Sequence, residues 1–172
     1  MLLDLFLPNE HVKSIFEIQP TKLKERGIKG IITDLDNTLV EWDRPEATPK
    51  LIKWFQNMKD HDIIITIVSN NNEERVKQFS GPLGIQYIYK AQKPMGKAFR
   101  KAVYDMKLKQ EEVVVIGDQL LTDVLGGNRS GFHTILVVPV AQSDGFFTRI
   151  NRRIERTILN VMKRKGMVYW EE

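Results

Sequence analysis

The sequence predicts an α/β fold in which helices cover a doubly wound, Rossmann-like parallel sheet of about five strands. Short apolar runs alternate with longer stretches of helical spacing, which is the pattern of repeated strand–helix units. The carboxyl ends of parallel strands meet at one edge of the sheet, so we expect the chemistry of the protein at that edge. The runs that predict strands are 28–33, 63–68, 86–89, 113–116 and 134–138.

The intervals between these runs predict the helices. Residues 49–61 begin with a proline and place apolar side chains on one side, namely Leu51, Ile52, Trp54, Phe55 and Met58. Three further intervals predict helices over 72–79, 96–106 and 120–130. Gly126, Gly127 and Gly131 follow a helix rather than a strand, so they predict late-helix and C-cap positions and not a dinucleotide-binding loop.

Two carboxylates directly follow the first run. Asp34 and Asp36 are two residues apart, so in an extended chain they point to the same side. Clustered carboxylates beside backbone carbonyls suit a hard cation such as Mg²⁺, and one could attack a substrate while the other moves a proton. Alone, the pair is equally consistent with a turn that caps a helix, because Asp and Asn bond nearby backbone N–H groups.

Polar residues also follow the later strands, and this favours a functional site over a simple turn. Ser69 and Asn70 follow the second run and offer a hydroxyl group and backbone donors to an anion. Lys93 precedes a proline and offers a positive charge, although a lysine there is more often a surface residue. Asp118 and Asp123 follow the fourth run. Independent helix caps seldom line up at successive strand ends in this way.

With four motifs in order, the chain resembles the haloacid dehalogenase-like (HAD) phosphohydrolases over about residues 30–138. It is most similar to class IIIA, which has DxDxT, a serine or threonine after the second strand, Lys-Pro and GDxxxxD. Within that class it resembles the YqeG-like branch, which is similar to mitochondrial phosphatidylglycerophosphate phosphatase. The resemblance implies a HAD-like fold and Mg²⁺-dependent hydrolysis of phosphate monoesters through an aspartyl-phosphate.

The resemblance also implies catalytic roles. Asp34 would attack phosphorus, and Asp36 would protonate the leaving alkoxide and later activate water. Lys93 would offset the negative charge that builds up as nucleophile and phosphate approach. Mg²⁺ would be held by the Asp34 side chain, the Asp36 main-chain carbonyl and Asp118. Asp123 would be either a ligand through water or a supporting residue.

The same resemblance implies how substrate is bound. Ser69 would bind a phosphoryl oxygen, with the backbone N–H of Asn70 helping, and Lys93 would contact the same group. Thr38 would hold Asp36 in position at the substrate.

The intervals between the motifs leave no room for a cap domain. Between Thr38 and Ile63 there are 24 residues, and between Ser69 and Lys93 there are 23, enough for one helix and one short strand. An open site accepts phosphate on a large molecule: a lipid at an interface, a protein or a nucleic-acid end. Residues 40–48 predict a flap beside the site, where Trp42 either contacts substrate or packs locally.

Positive charge is concentrated near the C-terminus. Residues 149–165 carry seven Lys or Arg against one Glu, whereas the formal charge of the whole chain is +4. Apolar residues interleave with these charges, so residues 146–165 predict a basic amphipathic helix. Such a helix could pack on the sheet with a solvated basic face, lie on an anionic membrane or, less favoured, bind nucleic acid. The apolar residues among positions 2–18 either add a membrane contact or cover the core.

Composition limits the other function classes. A chain of 172 residues with 42% apolar content predicts one HAD-like domain over 1–172. The absence of cysteine excludes disulfides, thiolate catalysis and cysteine-based zinc sites. No run approaches the roughly 20 apolar residues of a membrane span, and the N-terminus lacks the positive start of a secretory signal. We expect a cytoplasmic protein that can lie on the inner face of the membrane.

Two function classes follow from these observations. The first is a Mg²⁺-dependent phosphatase that acts on phosphatidylglycerophosphate or a similar lipid, with a soluble sugar phosphate, nucleotide or phosphoprotein as alternative substrates. The second is an RNA- or ribosome-associated binding protein with a vestigial site. The intact Asp34, Asp36, Lys93 and Asp118 favour the phosphatase.

Overall fold

A six-stranded, fully parallel sheet forms the centre of the protein in the computed structural model, which describes residues 1–142 and 145–170, with only the backbone at 146 and 147. The strand order is β1-β6-β5-β2-β3-β4. This confirms the predicted doubly wound α/β class and adds one edge strand, β1, to the five that the sequence predicts. The strands are β1 (Glu10–Val12), β2 (Gly30–Thr33), β3 (Ile64–Val68), β4 (Gln86–Ile88), β5 (Val113–Gly117) and β6 (His133–Val137).

Helices connect the strands on both faces of the sheet. Short 3₁₀ segments occupy Leu2–Phe6, Ile15–Glu17 and Gln110–Glu112, and the predicted helix over 120–130 is a π-helical turn, Leu120–Val124, followed by a short helix. The α-helices are α1 (Pro20–Glu25), α2 (Pro49–Asp60), α3 (Glu73–Ser80), α4 (Lys97–Met106), α5 (Leu125–Arg129) and α6 (Phe146–Arg164).

Side-chain caps set where the helices after β2 and β3 begin. The Thr48 hydroxyl accepts from the Leu51 N–H at 3.2 Å at the start of α2, and the Asn72 side chain accepts from the Arg75 N–H at 2.9 Å at the start of α3. Only α2 separates β2 from β3, and only α3 and β4 follow β3 before Lys93. In the described residues, as predicted, no cap domain covers the carboxyl edge of the sheet.

The core lies on both faces of the central strands, β2 and β5, which are buried along their whole length. Leu51, Trp54, Phe55 and Met58 of α2 are buried against one face, but Ile52 is exposed. The prediction that Ile52 shares their side was therefore wrong: Ile52 lies about 100° around the helix from Leu51.

The α6 helix has a buried side and an exposed apolar stripe. Met162 and Glu155 face inward and are buried, whereas Ile150, Ile154 and Val161 are exposed. Spacings of four and seven residues place these three on one outward stripe.

The N-terminal apolar residues mainly cover the core: Ile15 and Ile18 are buried, and only the first turn exposes large side chains, at Met1 and Leu2. Within the described residues, no helix combines the length and the apolar character needed to cross a membrane.

Candidate active site

The predicted site residues converge at the carboxyl edge of the sheet. Asp34 directly follows β2, Ser69 follows β3, and Asp118 follows β5. The backbone N–H of Asp34 donates to the carbonyl of Ile116 at 3.0 Å, so the pairing of β2 with β5 continues into the first motif. Parallel pairing thus places the loops after three neighbouring strands side by side.

A buried lysine joins two of the carboxylates. Lys93 Nζ lies 3.0 Å from Asp34 Oδ1 and 2.7 Å from Asp123 Oδ1. Burial by itself would lower the pKa of Lys93, but the charges of Asp123 and Asp34 outweigh it and raise that pKa, so the ammonium form is stabilised. Lys93 is therefore part of the acidic site and not a surface residue.

Asp34, Asp118 and Asp123 form a compact carboxylate cluster. One oxygen of each lies within 4.8 Å of the others, and all three residues are buried. Burial raises the pKa of Asp118 well above its ordinary value, against the charge of Arg152, and raises the pKa of Asp123 to about 6, against the charge of Lys93. Ionising the cluster therefore costs free energy, which a bound cation would offset.

The glycine of the fourth motif makes this cluster possible. A Cβ on Gly117 would lie 2.1 Å from Asp123 Cγ, so only glycine allows Asp123 to approach the end of β5. The Gln119 N–H also donates to Asp123 Oδ2 at 3.2 Å. Asp123 is thus held on one side by backbone and on the other by Lys93.

Asp36 has partners of its own. Its Oδ2 accepts from Asn71 Nδ2 at 2.8 Å, and its Oδ1 accepts from Arg75 Nε at 3.0 Å. Burial raises the pKa of Asp36, the Asn71 hydrogen bond and Arg75 lower it, and the charge of Asp34 adds to the rise. The Asp36 side chain lies outside the carboxylate cluster, which is compatible with the expectation that only its main-chain carbonyl reaches a cation.

Thr38 differs from the expectation. Its hydroxyl donates to Asp118 Oδ1 at 2.9 Å, whereas Asn71 and Arg75 hold Asp36. Asn71 and Arg75 went unassigned in the sequence, although both follow β3 closely. The run of three asparagines there, and an arginine in the first turn of the next helix, are the signals that could have identified them.

Ser69 and Asn70 shape the loop after β3. The buried Ser69 Oγ accepts from the Asn71 N–H at 3.1 Å. Asn70 clamps the backbone of Lys93: its Oδ1 accepts from the Lys93 N–H at 2.7 Å, and its Nδ2 donates to the Lys93 carbonyl at 3.1 Å. This clamp fixes the chain that carries the buried ammonium group.

A second arginine contacts the cluster from α6. Arg152 donates to the Asp118 carboxylate and, at 2.8 Å, to the Asp118 carbonyl, and it lies 3.2 Å from Glu155 Oε2. Glu155 is 4% exposed, and its other oxygen accepts from the Leu121 N–H at 3.0 Å. Sequence reasoning missed this pair; its signal is that Glu155 is the single acid in the basic segment.

The residues present fit a hard divalent cation. Three buried carboxylates and nearby backbone carbonyls are all oxygen donors, which Mg²⁺ prefers. Among the described residues no histidine joins this cluster, and the sequence contains no cysteine. The cluster is therefore a candidate metal site that shares Asp34 with a candidate nucleophile position.

Comparison with known proteins identifies the family. A family described as HAD-hydrolase-like matches residues 90–139. The chain is 72% identical over 172 residues to the probable phosphatase YqeG of Bacillus subtilis (strain 168), and the alignment covers 100% of both chains. The chain belongs to the HAD-like phosphatases. The resemblance drawn from the four motifs is thereby confirmed.

This HAD phosphatase also has more distant relatives. It is 30% identical over 172 residues to phosphatidylglycerophosphate phosphatase 1, chloroplastic/mitochondrial, of Arabidopsis thaliana, an alignment that covers 94% of this chain and 49% of the plant protein. Its fold is similar to the cobalt-bound form of deoxy-D-mannose-octulosonate 8-phosphate phosphatase of Haemophilus influenzae. That match has a TM-score of 0.57 at 15% identity and covers 86% of this chain and 96% of the other.

Proposed function

We propose that this HAD phosphatase removes the terminal phosphate of phosphatidylglycerophosphate or of a similar anionic lipid, with Mg²⁺ and through an aspartyl-phosphate. The convergence of Lys93 on Asp34 and Asp123 carries the chemical part of this proposal. The lipid part is supported by the open edge of the sheet, the basic α6 and the name of the plant relative.

In the first step, Asp34 attacks phosphorus. A bond forms between an Asp34 oxygen and phosphorus as the bond to the leaving oxygen breaks, and Asp36 donates a proton to that oxygen. In the second step, Asp36 takes a proton from water, which attacks phosphorus, releases inorganic phosphate and restores Asp34. The ammonium group of Lys93, already 3.0 Å from Asp34, offsets the added negative charge.

Asp34, Asp118 and the main-chain carbonyl of Asp36 would hold Mg²⁺, with Asp123 as a further ligand or as a support through water. The ion would supply charge that neutralises the incoming phosphate.

Ser69, the backbone N–H of Asn70 and Lys93 would bind the phosphoryl oxygens. Thr38, which contacts Asp118 at 2.9 Å, would position that carboxylate beside the phosphate.

The outward side of α6 supports a membrane contact. The exposed stripe of Ile150, Ile154 and Val161 lies on a helix that also carries exposed Arg153, Arg156 and Arg164, so α6 exposes both apolar surface and positive charge. This combination suits the interface of an anionic membrane. We therefore propose a single domain over residues 1–172 that is located in the cytoplasm and attaches peripherally to the inner face of the membrane.

The test is phosphate release from phosphatidylglycerophosphate in mixed micelles, with Mg²⁺ or with chelator, for wild type and Asp34→Asn. We expect Mg²⁺-dependent release that the variant lacks, and slower release from soluble sugar phosphates and nucleotides. Cleavage of soluble esters alone would overturn the lipid substrate and retain the phosphatase. Binding to RNA but not to anionic vesicles would overturn the membrane contact of α6.

A further inference from the structure

A cleft of about 1020 Å³ opens beside the phosphatase site, between α6 and the chain that follows β6. Asp118 and Arg152, which contact each other, are among the residues that line it. The cleft and the carboxylate cluster therefore share Asp118, one oxygen of which lies within 4.8 Å of one from Asp34. The cleft also contains residues to which the phosphatase chemistry gives no role.

The arginines of the cleft differ in their partners. Arg152 is engaged by Asp118 and Glu155, the two acids of the lining. Arg153 and Arg156 also line the cleft and are exposed, and neither guanidinium group makes an ion pair or a hydrogen bond with the residues that the structure describes. The cleft thus keeps excess positive charge after its own acids are satisfied.

These two arginines can act on one group. Positions three apart on a helix have Cβ atoms about 5–6 Å from each other, so both guanidinium groups can reach one phosphate. Arg156 lies one helical turn from Arg152, which contacts Asp118, and positions four apart on a helix are neighbours. An anion bound by the pair would therefore lie in the same cleft as Asp118 of the carboxylate cluster.

The opposite wall of the cleft is apolar. On the side of β6 and the chain that follows it, the lining includes Leu136, Val138, Pro139 and Val140, and Leu159 of α6 and Trp170 also line the cleft. Val138 and Val140 are partly exposed, at 44% and 47%. A wall of this kind beside two free arginines matches a ligand that carries an anionic group next to hydrocarbon.

We propose that Arg153 and Arg156 form a second anion subsite, which binds a phosphodiester in the leaving group while the terminal phosphate lies at Asp34. This inference rests on the proposed phosphatase function. It assigns the enzyme to substrates with two phosphates separated by a short polyol, whose acyl chains extend along Val138 and Val140.

Four substrates separate this subsite from simple attraction to a charged surface. The lipid pair is phosphatidylglycerophosphate, which has two phosphates, and phosphatidic acid, which has one. The soluble pair is glycerophosphoglycerophosphate, which has two phosphates, and glycerol 3-phosphate, which has one. The readout, for the lipid pair and for the soluble pair, is the kcat/KM of the substrate with two phosphates divided by the kcat/KM of the substrate with one. For Arg153→Ala combined with Arg156→Ala, we expect both ratios to fall at least tenfold, as the loss of charge-assisted hydrogen bonds predicts.

The matched control is Arg164→Ala combined with Lys165→Ala, which removes two exposed charges from the end of the same helix outside the cleft. This control should leave both ratios unchanged. If the double arginine variant slows both members of each pair equally, the subsite is overturned and its charges act only in adsorption.

A calorimetric measurement keeps the two proposals separate. Asp34→Asn should bind glycerophosphoglycerophosphate at least tenfold more tightly than glycerol 3-phosphate, and adding the two arginine substitutions should abolish the difference. If the wild type cleaves none of the four substrates, the proposed function fails, and this binding comparison still decides the subsite. Equal binding of both ligands to Asp34→Asn overturns it.

Discussion

Replacing Lys93 with methionine tests whether the buried lysine holds the acidic cluster together. Its Nζ lies 3.0 Å from Asp34 Oδ1 and 2.7 Å from Asp123 Oδ1, and all three residues are buried. Removing one partner of a buried ion pair costs about 3–5 kcal/mol, because the other charge stays buried without compensation. In a protein of this size 1 kcal/mol shifts Tm by about 2–4 °C, so we expect a fall of about 6–20 °C in chelator.

The same variant should lose activity. Because the ammonium group faces Asp34, we expect kcat on a small phosphate monoester to fall about 10²–10³-fold. The loss of Tm should be smaller in saturating Mg²⁺, since a divalent cation at these carboxylates replaces part of the missing charge. Thermal melts and phosphate release measure both effects.

Lys97→Met is the matched control, because Lys97 is exposed at the start of α4 and makes no ion pair with any described residue. It should leave both Tm and kcat nearly unchanged. A Lys93→Met variant that melts within about 2 °C of wild type in chelator and keeps its kcat would refute the reasoning.

Three further substitutions test the surroundings of the cluster. Gly117→Ala should lower kcat by more than about tenfold, since its Cβ would lie 2.1 Å from Asp123 Cγ; a rate close to wild type would contradict the close approach. Arg152→Ala should lower the Mg²⁺ concentration for half-maximal rate, because a positive charge leaves Asp118, while stability falls by about 3 kcal/mol. An unchanged Mg²⁺ titration would show that this arginine does not oppose the cation. Burial lowers the pKa of His133 below 6.5, so its neutral form stabilises the fold above that pH, and this stabilisation is lost as pH falls. Urea denaturation at about pH 7.5 and 5.5 should show a smaller loss for His133→Asn than for wild type; equal losses would exclude His133 as the cause.

Most of the fold could be predicted from the sequence because the central strands β2 and β5 are short, mostly apolar runs. The edge strand β1 was missed since Glu10–Val12 is three half-buried residues, and only its pairing with β6, more than a hundred positions later, makes it a strand. Local spacing likewise placed Ile52 with its buried neighbours. A helical period gives the width of an apolar face only approximately, and packing decides which border residue is covered.

Some of the site residues could likewise be predicted from the sequence and others could not. The motif residues were found because strand ends are recognisable in the sequence. Arg152 and Glu155 were not, because Arg152 reaches Asp118 across 34 positions of chain, from a helix whose orientation no local pattern gives. The sequence left open whether this helix packs on the sheet, lies on a membrane or binds nucleic acid, and it did not indicate that Arg152 contacts the cluster through Asp118.

The charges around the cluster explain why a cation suits this site. Lys93 and Arg152 supply two positive charges to the three carboxylates of Asp34, Asp118 and Asp123. Full ionisation therefore leaves one buried negative charge, and burial correspondingly raises the pKa values of Asp118 and Asp123. A phosphate ester would add further negative charge at the same place. A divalent cation compensates both the buried carboxylate charge and the charge of the phosphate ester. Its binding should therefore lower the pKa values of Asp118 and Asp123 and release protons. Lys93, which lies between Asp34 and Asp123, already reduces the repulsion between those two carboxylates.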